Sequence, residues 1–335
     1  MNITYFISGP QRNMQPGYWL YDYLISDGHH IKPFYMRKSD TEKISFFKKQ
    51  WRRYKAVFSI LFNARNNDLI LVYDCDTEGI YIGLFISFFR PSLMVYKINC
   101  MAASKGNLYS PFKRLLVRQA YTHIITSVNN EKIAQLFSEF LNLPISHFIP
   151  IPDSISDFGK EILSMEPEEE IYDVFMGGNT HRDYTLFVEA AKRLPQYRFH
   201  AVTTRLHESI FNNKTANLSV EYSLPEREFY KRIAQSKIVF VPLTTDVQGG
   251  QMVLFQGALL KKALVSTRSE TINTYFDARA IILLEIGDVE RSVLEIMNLM
   301  DDAEKRKDLG EQSYLQISRF TTSSIYNEYK TKLFR

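Results

Sequence analysis

Short apolar runs alternate with longer helical stretches along the whole chain, and this alternation constrains the fold more than any other feature. Runs at 3–8, 32–35, 69–73, 93–98, 123–126 and 147–151 have strand length and strand composition. Helical spacing fills 16–26, 79–89, 111–120 and 130–140 between them. Strands joined through helices pair in parallel, with the helices covering the faces of the sheet, so the pattern predicts a doubly wound α/β domain. A second series follows, with strands at 172–176, 198–202, 238–242, 263–266 and 281–285 and helices at 184–194, 226–234, 252–260 and 289–300. The stretch SDFGKEILSMEPEEE between the two series has few apolar residues and ends in an acidic run, as an interdomain connection does.

The length of 335 residues is enough for two cores of this kind. The expected architecture is two Rossmann-like doubly wound domains facing across a cleft. Residues 1–152 form the first, 153–171 the connection and 172–315 the second. Residues 316–335 form a C-terminal helix that packs back on the first domain. Ligands of such sheets bind beyond the carboxyl ends of the strands.

Charge is divided unevenly between the halves. Residues 1–150 carry 18 Lys and Arg against 10 Asp and Glu, a net of +8, while the remainder carries 23 against 27, a net of −4. That split points to one domain that meets an anionic surface and one that does not. The two cysteines, Cys75 and Cys100, make neither a disulfide framework nor a cysteine-rich metal site, and fit a reducing compartment. No apolar stretch reaches the roughly 18–20 residues that span a bilayer. The first residues carry no basic region before their apolar run, so they do not read as a signal peptide. The expected location is cytoplasmic, with peripheral attachment to the inner face of the cell membrane.

Walker A, G-x-G-x-x-G, H-E-x-x-H and G-x-S-x-G motifs are all absent. Two strand–Gly-Gly–helix segments carry the chemistry instead. In VFVPLTTDVQGGQMVLFQG, Gly249-Gly250 lets backbone amides approach a ligand, and the helix that begins near Met252 adds N–H groups and a dipole favourable to an anion. Gln248 and Gln251 offer hydrogen bonds to hydroxyl groups. In VFMGGNTHRDYTLFVEAAK, Gly177-Gly178 precedes Arg182, whose planar fork pairs with two phosphate oxygens. Plainer readings stand beside these: glycines that only make a turn, and an Arg182–Asp183 ion pair at a helix start.

Five segments, in order, resemble a GT-B-fold glycosyltransferase of the family 4 type over nearly the whole chain. They are LISDGHHIKPF, HIITSVNNEKIAQLFSEFLNLPISHFIPIPDSISDF, GGNTHRDYTLFVEAAKRLP, SLPEREFYKRIAQSKIVFVPL with QGGQMVLFQGALLKKALVST, and LLEIGDVERSVLEIMNLMDD. The resemblance implies transfer of a sugar, with retention of configuration and without metal or other cofactor, from a nucleotide diphosphate sugar of UDP or GDP type. It implies that Arg182 is the catalytic cation on the diphosphate. It assigns donor binding to Gly177, Gly178, Gln248, Gly249, Gly250, Gln251, Met252, Val253 and Gln256, and the acceptor-side wall to Gly9, Gln15 and Gly17.

The chain departs from the family where two glutamates separated by seven residues are usual, because Gln248 and Gln256 stand there. Glutamine keeps an acceptor oxygen for the ribose and loses the charge, a difference of roughly 1 kcal/mol for one hydrogen bond. Gly178 replaces a customary basic residue, and KINCMAASKG lacks the customary histidine. An inactive GT-B partner subunit or glycan-binding module is therefore the alternative, with a sugar-nucleotide epimerase as a third reading.

In FFKKQWRRYK, Lys48, Lys49, Arg52, Arg53 and Lys55 interleave with Trp51 and other aromatics, the pattern of a helix lying on an anionic membrane surface. Lys105, Lys113, Arg114 and Arg118 extend the same positive region. A solvated helix whose aromatics pack inward is the competing reading. No nucleic-acid-binding module accompanies the patch. A glycan acceptor on a lipid diphosphate, in surface polysaccharide or glycolipid synthesis, joins the basic domain to the transferase reading.

Overall fold

Leu69–Tyr73 is buried at every position, as an inner strand of a parallel sheet covered on both faces must be. The computed structural model describes residues 2–10, 18–37, 45–63, 68–73, 76–98, 110–155 and 158–334. These form two units, Met1–Asp157 together with Thr321–Arg335, and Phe158–Phe320.

The first unit strings β1 (Asn2–Pro10), α1 (Tyr18–Ser26), β2 (His30–Arg37), α2 (Phe46–Asn63), β3 (Leu69–Tyr73) and α3 (Asp76–Phe89). After these come β4 (Val95–Ile98), α4 (Pro111–Tyr121), β5 (Ile124–Val128), α5 (Glu131–Leu141) and β6 (Phe148–Pro150). All strand pairs are parallel, in the order β2-β1-β3-β4-β5-β6. Val57 and Ile60 of α2, Ile82 and Ile86 of α3, Val117 of α4 and Phe137 of α5 meet Ile70, Val72 and Val95 of the sheet in one core. Local signals start and stop these helices. Ser110 caps α4 through the Lys113 amide with Pro111 at the first position, Asn130 caps α5 through the Ile133 amide, and Asn142 ends α5 at φ 51°.

The second unit opens with α6 (Phe158–Leu163), β7 (Tyr172–Gly177), α7 (Tyr184–Arg193), β8 (Phe199–Thr203), β9 (Leu218–Tyr222) and α8 (Glu226–Ala234). It continues through β10 (Ser236–Val241), α9 (Gln251–Leu259), β11 (Ala263–Thr267), α10 (Glu270–Tyr275), β12 (Ile282–Leu284), α11 (Val289–Asp301) and α12 (Ala303–Ile317). Its strands are also all parallel, in the order β12-β11-β10-β7-β8-β9. The order reverses between β7 and β10, the switch point at which doubly wound sheets open a crevice beyond the strand ends.

Sequence patterning missed β9 and α10. The first is an edge strand with one fully buried residue, and the second is only 6 residues long. Within 153–171 the chain forms α6, whose Phe158 and Ile162 are buried. The acidic run is tied to the second unit by Glu168 with Lys231 at 3.5 Å and Glu170 with Lys262 at 2.9 Å. The last helix, α13 (Thr322–Lys332), belongs to the first unit. Its Tyr326 ring stacks on Tyr23 at 4.9 Å, the Tyr326 hydroxyl donates to Asp27 at 2.6 Å, and Lys330 reaches the same carboxylate at 2.8 Å.

Candidate functional site

The first loop of the crevice leaves β7 at Gly177. A Cβ there would lie 2.5 Å from the Phe229 ring and 2.9 Å from that of Phe175, so both rings would have to shift to admit one. Gly178 follows at φ +97°, and a Cβ on it would stand 2.6 Å from Arg182 Nη2, because the guanidinium lies against this glycine. Arg182 Nε donates to Gly177 O at 2.7 Å and Nη1 donates to Thr180 O at 2.8 Å. These two bonds fix the plane of the fork and use only part of its five N–H groups.

Asp183 does not pair with Arg182. Its carboxylate accepts from the Leu186 amide at 2.9 Å and caps α7. No described carboxylate contributes to the electrostatics of Arg182, whose pKa is pulled down to about 10 by burial. The side chain is therefore a cation at neutral pH, partly removed from water and without an ionic partner among the described residues. Such a charge is costly unless an anion joins it. Next to it, the Tyr184 hydroxyl donates to Gly178 O, and burial raises its pKa so that it stays a neutral donor.

The second loop leaves β10 and is joined to the first by backbone pairing. The Asp183 amide donates to Pro242 O at 2.9 Å, the Thr244 amide donates to His181 O at 3.0 Å, and Arg182 bridges Leu243. The Leu243 amide is itself held by Thr267 Oγ1 at 2.8 Å. Further along, α10 anchors the loop through the Glu270 amide to Asp246 O at 2.9 Å and Thr271 Oγ1 to Val247 O at 2.9 Å. Gly249 and Gly250 then turn the chain at φ +147° and +83°, and Gly250 is the N-cap of α9. A Cβ on Gly249 would sit 3.5 Å from His181 Cβ and 3.8 Å from Thr180 O, so the two glycine turns come together beside Arg182.

The start of α9 thus lies at this point, with Gln251 and Met252 partly exposed in its first turn. The Val253 amide donates to Gly250 O at 3.1 Å, so it is already engaged within the turn. Gln248 is buried before the turn. Gln256 lies farther along α9, only 9% exposed, and its Oε1 has no hydrogen-bond partner among the described residues.

His181, Thr180 and Thr267 were not singled out by their sequence. His181 holds φ +57°, and its carbonyl ties the loops together. No motif announces a left-handed histidine; the neighbouring Gly-Gly is the nearest signal. Of the acceptor-side residues, Gly9 lies at the carboxyl end of β1, and Gln15 and Gly17 lie outside the described residues. Cys75, Cys100 and Lys105 also lie outside them. Lys48, Lys49, Trp51, Arg52, Arg53 and Lys55 all fall on α2. Arg114 is drawn to α5, donating to Phe140 O at 2.8 Å. Among the described residues no three His, Cys, Asp or Glu side chains gather in a metal-binding group, and no helix is long and apolar enough to cross a membrane.

No family model matches the sequence, and no curated protein matches it. Solved structures do match, over both units. HepE from Anabaena, in complex with UDP-glucose, aligns at a TM-score of 0.71 with 12% identity over 100% of this chain and 99% of its own. Sucrose-phosphate synthase from Thermosynechococcus elongatus aligns at 0.75 with 10% identity over 98% of this chain and 97% of its own. WaaG, a glycosyltransferase involved in lipopolysaccharide biosynthesis, aligns at 0.69 with 10% identity over 98% of each chain. The chain has the two-domain α/β GT-B fold of these structures.

Proposed function

We propose that the chain is a glycosyltransferase whose second unit holds a nucleoside diphosphate sugar at the β7–β10 crevice. The observation that carries this reading is the Arg182 cation, partly desolvated and without a described carboxylate partner, beside two glycine turns and the start of α9. A diphosphate answers that charge, and the helix start adds its dipole to the same end. The UDP-glucose bound by HepE and the glycosyltransferase described for WaaG support the same class of donor and reaction.

In the proposed reaction the bond from the sugar C1 to the diphosphate oxygen breaks, and a bond from C1 to an acceptor hydroxyl oxygen forms. The pair of electrons leaves with the nucleoside diphosphate. Arg182 stabilises that growing charge from a position already fixed by Gly177 O and Thr180 O, so little reorganisation accompanies the step. The acceptor enters on the face the diphosphate leaves, its proton passes to a phosphate oxygen, and configuration at C1 is retained. No metal ion takes part in this reading. Gln256 Oε1 accepts from a ribose hydroxyl. The acceptor is a glycan, lipid-linked, as in surface polysaccharide or glycolipid assembly.

Calorimetric titration with UDP- and GDP-sugars, paired with a transfer assay, tests the reading. Binding of one donor is expected, and Arg182→Ala should weaken it about 10- to 100-fold, the worth of hydrogen bonds to a charged group. Arg182→Lys should recover only part, because the fork is lost. Unchanged affinity in Arg182→Ala would remove the donor-site assignment. Glutamines at 248 and 256 motivate a second reading, an inactive subunit or glycan-binding module. Donor binding without turnover on any acceptor would favour it.

A further inference from the structure

Helix α2 carries two apolar faces, and only one of them is used by the core. Val57 and Ile60 point inward, 3% and 2% exposed. Phe47, Trp51, Tyr54, Phe58 and Phe62 recur at helical spacing on another side, and are 84%, 69%, 39%, 48% and 80% exposed. The ridge continues onto α3 through Phe85, whose ring lies 6.5 Å from Tyr54, 6.4 Å from Phe58 and 6.0 Å from Phe89. Phe88 and Phe89 at the end of α3 are also largely exposed. A shallow groove of 470 Å³ runs along the ridge, lined by Trp51, Tyr54, Lys55, Phe58, Ser59 and Phe62. Water-facing surfaces of monomeric proteins seldom keep aromatic area of this extent.

The charges around the ridge say what covers it. Helix α2 bears five cations and no acidic residue, and α4 bears Lys113, Arg114 and Arg118 with none either. A second copy of the chain would bring cations against cations. An anionic bilayer meets both features, because its phosphates take Lys and Arg while the headgroup boundary takes Trp, Tyr and Phe rings. With five charges among its 18 residues, α2 suits the plane of that boundary and not a span across it.

We propose that α2, with the end of α3, is a lipid-facing surface that seats the first unit on an anionic membrane leaflet. Trp51, Phe58 and Phe62 enter the headgroup boundary, and Lys48, Arg52 and Lys55 lie at its phosphates. The observations are all on the first unit, so the proposal stands or falls independently of the donor site.

Vesicle flotation of the full chain tests it, with phosphatidylcholine alone or with about a third phosphatidylglycerol. Binding to the mixed vesicles is expected at least about tenfold above neutral ones and should fall as salt is added. The chain has 2 Trp, and Trp19 is only 4% exposed, so Trp51 reports insertion by a blue shift and by quenching from brominated lipid. Trp51→Ser with Phe62→Ser should cut binding about tenfold at unchanged thermal stability, since both side chains are exposed. Lys48→Glu with Lys55→Glu should abolish the preference for anionic vesicles. Equal binding to neutral and mixed vesicles would overturn the proposal, and so would an unshifted, unquenched Trp51 in the unmodified protein. Two further results would also overturn it: binding to a single-stranded polynucleotide in place of vesicles, and self-association through the same side chains with no vesicle binding.

Discussion

Arg182 and Asp183 stand next to each other in the chain and serve separate purposes in the fold. Adjacency in sequence offered an ion pair. The left-handed turn at His181 sends the guanidinium back over Gly178, while Asp183 goes forward to the free amides of α7. Gln256 shows the same dependence on surroundings. Its residue type was legible as a hydroxyl partner, and the fold adds that its Oε1 is buried without one among the described residues. An orphaned buried acceptor costs about 1–3 kcal/mol. Gln256→Leu is therefore expected to stabilise the second unit by about 1 kcal/mol while weakening nucleotide-sugar binding about fivefold. Urea unfolding and calorimetric titration on the same variant check the two signs together. A stability loss would mean that Oε1 has a structural partner after all.

At the scale of elements, two helices show how far patterning reaches. In α2 the aromatic and basic periodicity was plain, and both an inward and an outward disposition of the aromatics agreed with it. Packing chose Val57 and Ile60 for the core and left Trp51 and Phe62 outside. In α12 nothing in AEKRKDLGEQSYLQI marks Gly310 as more than a weak point in a helix. A Cβ there would lie 2.0 Å from the carbonyl oxygen of Lys261, in the turn that ends α9 at a φ of +53°. Backbone on both sides leaves no flexible atom to give way. Gly310→Ala should cost about 2–3 kcal/mol through overpacking and lower the urea midpoint accordingly. Because α9 begins at the glycine turn, donor affinity should decline as well.

On the scale of the whole molecule, the chain enters the second unit near Phe158 and returns to the first near Thr321. Tyr329 anchors that return: it is 3% exposed, its hydroxyl lies 3.3 Å from Ser127 Oγ, and its ring lies 6.3 Å from Trp19. Removing a buried aromatic costs about 3–5 kcal/mol. Tyr329→Ala should therefore destabilise the first unit by about 3 kcal/mol. Both Trp residues belong to that unit, so their fluorescence follows its unfolding, while titration with the nucleotide sugar should show the second unit unaffected.

The sequence by itself determined most of the strands and helices and the two glycine turns, which are set by neighbours a few residues apart, and the +8 against −4 split of charge, which is composition alone. An acidic half proposed to hold an anionic donor was a puzzle at that level. Strand order bears on it, because β10 pairs with β7 and brings two distant loops together around one Arg182 that no described carboxylate pairs with, which gives the proposed donor a local cation. That meeting, the burial of Gln256 and the outward aromatics of α2 were left to tertiary structure. Pairing and burial are settled by contacts between segments far apart in the chain, and local periodicity carries no information about them.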